Sequence, residues 1–200
     1  GAEYQCPACG GNLEIVYDYV RIGKEACVRG ERSIWRYERL LPLREGDQRP
    51  PLRIGWTPLY RAERLAGKLG VRELFVKDDG RNPSGSAKDR AGAVVVAHAR
   101  ERKISRIVCA STGNAASSLA CLCAPLGIRT VLFVPASAPR AKIAQLMVYG
   151  ALVITVEGSY DDAYDLSLSA SGEYGWYNRN TGYNPFTREG KKTLSYEVCE

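Results

Sequence analysis

Asn82-Pro83-Ser84-Gly85-Ser86-Ala87-Lys88-Asp89-Arg90 sets a lysine where a turn-rich loop gives way to a long helical run. Pro83 and Gly85 mark the loop, Ser86 is a candidate N-cap, and Ala91 to Arg102 reads as helix, so Lys88 falls in the first turn. There the helix dipole presents partial positive charge, which disfavours an ammonium by about 0.3–1 kcal/mol when exposed and by more where water is excluded. The neutral amine is favoured, and a neutral amine is what a lysine needs to condense with a carbonyl compound. Against this stands a commoner arrangement, a solvated lysine paired with the neighbouring acid, here Asp89.

A second loop, Ser111-Thr112-Gly113-Asn114, shifts the balance. It lies between the apolar run Ile107-Val108-Cys109-Ala110 and an Ala-rich helical stretch from Ala115. A strand, a tight turn and a helix start aim several backbone N–H groups and the positive end of a dipole at one point, which suits a carboxylate or a phosphate. Taken alone, the same four residues make an ordinary turn and cap. From Trp56 onward such pairs recur. The pattern predicts strands at Leu74–Lys77, Ile107–Ala110, Thr130–Val134 and Leu152–Val156, and helices at Lys88–Arg102, Ala115–Leu126, Ala138–Tyr149 and Tyr160–Tyr174. Continuously apolar strands joined by helices predict an α/β fold, a parallel twisted sheet with helices on both faces. Ligands of such sheets gather at the carboxyl ends of the strands, and Ser111–Asn114 follows one directly.

Five pieces in order, Gly55-Trp56-Thr57-Pro58-Leu59, Val76-Lys77-Asp78-Asp79, Asn82 through Arg90, Ser111 through Ser117, and Asn184-Pro185-Phe186-Thr187-Arg188-Glu189-Gly190-Lys191-Lys192-Thr193, resemble the fold-type II pyridoxal-phosphate enzymes. Within these the resemblance is to the threonine synthases, over residues 55 to 200. It implies that Lys88 holds pyridoxal 5'-phosphate covalently and later moves protons. It implies that Asn114 hydrogen-bonds the 3′ oxygen of the cofactor ring, that Ser111 and Thr112 hold the substrate carboxylate, and that Asn184, Arg188 and Lys192 meet the far end of the substrate. The activity implied is conversion of O-phosphohomoserine and water to threonine and phosphate by γ-elimination and replacement. A serine or threonine dehydratase or a cysteate synthase is the neighbouring alternative, and a non-catalytic binding module the alternative of another class. Ala87 departs from the family, which usually carries Phe there, so packing beside the cofactor is expected to be looser.

The N-terminal residues 1–54 read as an irregular extension and residues 55–200 as the pyridoxal-phosphate-dependent α/β region. Gly1-Ala2-Glu3, with no methionine, reads as a tag remnant outside the argument. Cys6-Pro7-Ala8-Cys9-Gly10-Gly11 is a zinc-knuckle pattern with Cys27 downstream, and a short strand is expected at Leu13–Tyr17. Cys6, Cys9 and Cys27 are at most three metal ligands where a structural zinc takes four, and Gly30 stands where a fourth would fall, so a half zinc ribbon emptied of metal is favoured over bound zinc. Of the four remaining cysteines, Cys109, Cys121 and Cys123 lie in apolar contexts and read as small core residues.

The formal charge of +6 and the arginines from Arg21 to Arg49 raise the question of nucleic acid. Glu25, Glu31, Glu38 and Glu45 are interspersed among them, which describes a salt-bridged surface rather than a nucleic-acid arm. A small substrate carrying carboxylate and phosphate accounts for the basic excess through steering. No apolar run reaches the roughly 18 residues of a membrane span, and no secretory signal is present, so a cytoplasmic protein is expected. The single histidine, His98, sits mid-helix and reads as packed rather than catalytic. Glu189–Glu200 reads as a helix without a stop signal, and the Gly-rich cradle for the cofactor phosphate is not in the sequence. The expectation is therefore the N-terminal portion of a longer enzyme, which by itself binds cofactor weakly and turns over little; a homodimer is what the resemblance implies, since relatives are commonly dimeric.

Overall fold

Ile107-Val108-Cys109-Ala110 is apolar at every position because both faces of its strand are covered. Ile107 and Cys109 enter one buried cluster with Val94, Leu119 and Leu132, while Val108 and Ala110 enter another with Val131, Phe133 and Ala163. The computed structural model describes residues 4–22, 26–44 and 48–200; Gly1-Ala2-Glu3, Glu25 and Glu45 lie outside them. In chain order the regular elements are α1 (Tyr19–Ile22), β1 (Leu59–Arg61), α2 (Glu63–Leu69), β2 (Phe75–Lys77), α3 (Lys88–Glu101), β3 (Arg106–Ala110) and α4 (Asn114–Cys123). They continue with β4 (Arg129–Pro135), α5 (Arg140–Val148), β5 (Leu152–Val156), α6 (Tyr160–Tyr174), β6 (Tyr177–Asn178), α7 (Phe186–Glu189) and α8 (Lys192–Cys199).

Four strands form one parallel sheet in the order β5-β4-β3-β6. The predicted α/β architecture is therefore present, with α3 and α4 on one face and α6 on the other. The strand predicted at Leu74–Lys77 does not join this sheet. As β2 it pairs antiparallel with β1, Leu59 opposite Lys77, because α2 and the left-handed Gly70 return the chain against its own direction. The strand expected at Leu13–Tyr17 is also not formed. Instead Gln5 and Asn12 make an isolated bridge, and Leu13 N–H donates to the Tyr4 carbonyl, closing the chain around the knuckle. β6, two residues long, gave no periodicity to read.

Residues before 55 share the main core. Tyr4, Ile34, Trp35, Leu41 and Ile54 are buried against the α3 valines, and the Tyr4 ring meets Tyr177 and Tyr183 edge-on at 5.8 and 5.2 Å. The knuckle is closed by Cys6 N–H to the Gly11 carbonyl and Gly10 N–H to the Cys6 carbonyl, both 2.8 Å, and the backbone N–H groups of Ala8 and Cys9 hold the Cys6 thiol below its ordinary pKa. Among the described residues no group of three or more His, Cys, Asp or Glu is placed to hold a metal ion, so Cys27 is not brought to Cys6 and Cys9. Cys109, Cys121 and Cys123 are buried, as read from their context. Arg36 pairs with Glu200, and Arg49 with Glu38 and Glu31, on a mixed-charge surface. Among the described residues no helix is long and apolar enough to cross a membrane.

His98 ties three elements together. Its ring stacks on Phe186 at 3.6 Å, and its Nδ1 lies 2.8 Å from the Tyr177 hydroxyl. Burial, with the charges of Arg102 and Arg44, lowers its pKa from 6.5 to about 4. The unfolded chain binds the proton first, so the His98 contribution to stability is complete above its ordinary pKa and is lost as pH falls from 6.5 toward 4. Replacement His98→Gln should flatten that stretch of the acid-unfolding profile, followed by circular dichroism. An acid limb unchanged by the substitution would contradict the assignment.

Candidate active site

Lys88 begins α3, and its position is set by a loop that is hydrogen-bonded at nearly every residue. Asn82 accepts from Gly55 N–H through Oδ1 at 2.8 Å and donates through Nδ2 to the Asp79 carbonyl at 2.9 Å. Gly85 N–H, at φ +72°, closes on the Asn82 carbonyl, and the Ser86 hydroxyl accepts from Lys88 N–H at 3.1 Å. Ser86 thus acts as the predicted cap, although the residue preceding the first helical one is Ala87. Asp89 is fully buried and turns inward, where it accepts from the Ser84 N–H at 2.7 Å and from the Ser84 hydroxyl. The Lys88–Asp89 pair weighed from the sequence therefore does not form. The Lys88 ammonium has no acceptor among the described residues.

What holds this loop is a buried ion cluster beneath it. Arg90 is fully buried and donates from Nε and Nη2 to both oxygens of Asp79, at 2.7 and 2.8 Å, and through Nη1 and Nη2 to both oxygens of Glu197. Glu197 also receives the Lys77 ammonium at 2.7 Å and the N–H groups of Trp56 and Thr57 at 2.8 and 3.3 Å. Those two N–H groups converge because Gly55 and Trp56 both adopt positive φ, +76° and +50°, forming a small anion-binding nest. Burial pushes the Asp79 and Glu197 carboxyls up, but the hydrogen bonds from Arg90, with Thr57 on Asp79 and Lys77 on Glu197, leave both below their ordinary values. The same partners hold Arg90 firmly protonated against its own desolvation. Three of the five motif pieces, around Thr57, Lys77 and Arg90, are thus one mechanical unit.

α3 and α4 both start at the carboxyl edge of the sheet, since one runs into β3 and the other leaves it. Ser111 N–H donates to the Phe133 carbonyl and its hydroxyl accepts from Gly113 N–H, which forms the turn; Asn114, exposed, opens α4. Neither Thr112 nor Asn114 spends its side chain on a protein partner among the described residues. Lys88, Ser111, Thr112 and Asn114 are accordingly gathered at one edge. Asn184, Arg188 and Lys192 are placed otherwise. Asn184 is buried and bonds the Asn178 carbonyl and Phe186 N–H; Arg188 reaches Glu14 and the Leu13 carbonyl; Lys192 pairs with Glu189 and lies 4.1 Å from the Tyr17 ring centre. Arg179 and Lys191, passed over in the sequence, stand at the same edge. Arg179 directly follows β6, and Lys191 is held below its ordinary pKa by burial and by the charges of Lys88, Arg179 and Arg188. Glu197 was passed over as well, for no single-sequence signal marks a glutamate whose partners lie more than a hundred residues away.

A family model described as pyridoxal-phosphate dependent enzyme matches residues 51–200. The chain is 41% identical to a threonine synthase of Methanocaldococcus jannaschii and 39% identical to one of Methanosarcina acetivorans, in each case over 98% of this chain and 49% of the relative. It thus spans about half the length of the curated relatives it matches. Among solved structures it resembles apo diaminopropionate ammonia lyase of Escherichia coli, with a TM-score of 0.65 and 21% identity over 72% of this chain and 47% of that one, a likeness of fold.

Two substitutions measure how the lysine is held. Arg90→Met leaves Asp79 and Glu197 buried without their cation and should cost about 3–5 kcal/mol in urea unfolding, the range for breaking one side of a buried pair; a loss under about 1 kcal/mol would mean the cluster is replaceable. Asp89→Asn should free the 82–87 loop. Hydrogen exchange at the Ser84 amide should then quicken by about 10- to 100-fold, matching the loss of a charge-assisted bond, with the middle of α3 unchanged.

Proposed function

Because the chain belongs to the pyridoxal-phosphate dependent enzymes, we propose that the whole protein is a threonine synthase, taking O-phosphohomoserine and water to threonine and phosphate. The observation that carries the reading is the Lys88 amine, left without an acceptor among the described residues in the first turn of α3 while Asp89 beside it is turned inward. The curated threonine synthases to which the chain is similar along nearly its whole length support that choice over a dehydratase or a cysteate synthase.

The residues present fit the cofactor. Among the described residues, Lys88 offers an unpaired amine at the carboxyl edge, and the Ser111–Asn114 turn offers helix-start N–H groups and two uncommitted side chains within the same edge. The chemistry supplied by bound pyridoxal phosphate is an electron sink for the pair left at the substrate Cα. Lys88 would hold it through Nζ and, once released, take the Cα proton. Asn114 would orient the ring through its 3′ oxygen, and the hydroxyls of Ser111 and Thr112 would fix the substrate carboxylate. Asn184, Arg188 and Lys192 would border the far end of the substrate; with their side chains engaged by Asn178, Glu14 and Glu189, their part is to shape that wall.

Full-length protein should release phosphate and threonine together from O-phosphohomoserine. Lys88→Ala should lose the borohydride-trapped cofactor adduct and slow phosphate release by about a thousandfold or more. Trapping without phosphate release by the wild type would indicate a cofactor enzyme with another substrate. Phosphate release by Lys88→Ala at the wild-type rate would sink the assignment of the lysine.

A further inference from the structure

Arg179 is among the most deeply buried side chains in the molecule, with no exposed surface, yet its Nε and Nη2 meet no hydrogen-bond partner among the described residues. Its Nη1 donates to the Thr181 hydroxyl at 3.1 Å, in the exposed Thr181–Gly182 turn, and no carboxylate pairs with it among the described residues. Arg90, equally buried, shows the contrast, for every guanidinium nitrogen of that residue has an acceptor. A desolvated guanidinium without an anion is strongly unfavourable, and folds retain one where an anion arrives to complete it.

The position states where that anion would lie. Arg179 N–H donates to the Val108 carbonyl at 2.8 Å, so the residue leaves the sheet at its carboxyl edge beside β3. Its side chain falls on the Cys109 side of the sheet, since Asn178 and Asn180 on either side of it are bound to Ser167 of α6 across the opposite face. Burial pushes the Cys109 thiol up, and Arg179 partly offsets this through its charge and a hydrogen bond to the thiol, which sets the guanidinium against that sulfur, a weak acceptor that does not neutralise it. Lys191, half-buried and without an ion pair among the described residues, feels the charges of both Lys88 and Arg179. Lys88, Lys191 and Arg179 are thus neighbouring cations, and among the described residues none of the three has an ion pair. Arg188 and Lys192, one residue to either side of the Glu189–Lys191 stretch, already have carboxylates.

We propose that Arg179, with Lys191, is the receptor for the phosphate of the substrate, a phosphomonoester dianion. The assignment rests on the reading of the protein as acting on O-phosphohomoserine. A forked guanidinium with two free donors suits a dianion, and a lysine beside it supplies the second charge.

Inorganic phosphate is the probe, with full-length wild-type protein, Arg179→Met and Lys191→Gln. Phosphate should raise the wild-type melting temperature, and Arg179→Met should weaken phosphate binding by about 10- to 100-fold, with a smaller loss in Lys191→Gln. Without phosphate, Arg179→Met should melt no lower than wild type, because it removes an uncompensated charge; a structural arginine would show the reverse. KM for O-phosphohomoserine should rise with the phosphate dissociation constant, while borohydride trapping on Lys88 at limiting cofactor stays unchanged. Phosphate bound equally by all three proteins overturns the proposal. So does a fall in cofactor trapping with phosphate binding intact, since the anion would then be the cofactor's own. If the wild type releases no phosphate from O-phosphohomoserine but the variants still lose phosphate binding, the receptor stands and the reaction assigned above falls.

Discussion

The Arg90 guanidinium is the constraint on which the rest of the structure hangs. It lies two residues from Lys88 in the chain, and it is bound on one side to Asp79 and on the other to Glu197. Through these it joins the loop before β1, the loop after β2, α3 and α8. A buried ion cluster of this kind gives little net stability, but it admits only one geometry, since any misplacement leaves a charge buried without a partner. Direction, rather than strength, is what it contributes. Lys88 is two residues from Arg90, so fixing the guanidinium fixes the start of α3.

Close packing adds to that fixity. A Cβ at Gly190 would sit 2.0 Å from the Arg90 carbonyl oxygen, so the α7–α8 junction lies directly on the α3 backbone. A Cβ at Gly55 would meet Ile34, Glu197 and Arg90 within 3.0 Å, and the φ of +76° there is what turns the neighbouring N–H groups onto Glu197. The N-terminal residues lie over the same region. Asn12 donates to the Gly182 carbonyl, Tyr17 to Glu189 at 2.6 Å, and Glu14 meets Arg188. Residues whose cysteine spacing reads as half a zinc ribbon emptied of metal are in this way part of the wall around the carboxyl edge.

Charge is distributed unevenly across that frame. Below the edge, every buried cation has its acid; at the edge, Lys88, Lys191 and Arg179 have none among the described residues. Structural cations are neutralised by the fold itself, whereas cations kept for a ligand are neutralised by what binds. The two sets lie only a few residues apart in the chain and cannot be told apart by residue type.

The sequence by itself determined the α/β class and most of its elements, because apolar period and helix signals are local. The run from Tyr160 to Tyr174 is helical over the predicted span, and Lys88 begins α3 where Pro83, Gly85 and Ser86 indicated. The positions of Lys88, Ser111, Thr112 and Asn114 in the fold were legible for the same reason, each belonging to a loop that ends a strand or opens a helix. The partners of those residues were not. Only the tertiary structure decided that Phe75–Lys77 leaves the sheet for β1, that Asp89 faces Ser84 instead of Lys88, that Arg188 and Lys192 are already paired, and that Arg179 has no ion pair among the described residues. The physical reason is that an ion pair or an orphaned charge is a property of separation in space. Glu197 is 107 positions from Arg90 in the chain and within hydrogen-bond distance in the fold, and no local pattern encodes that approach.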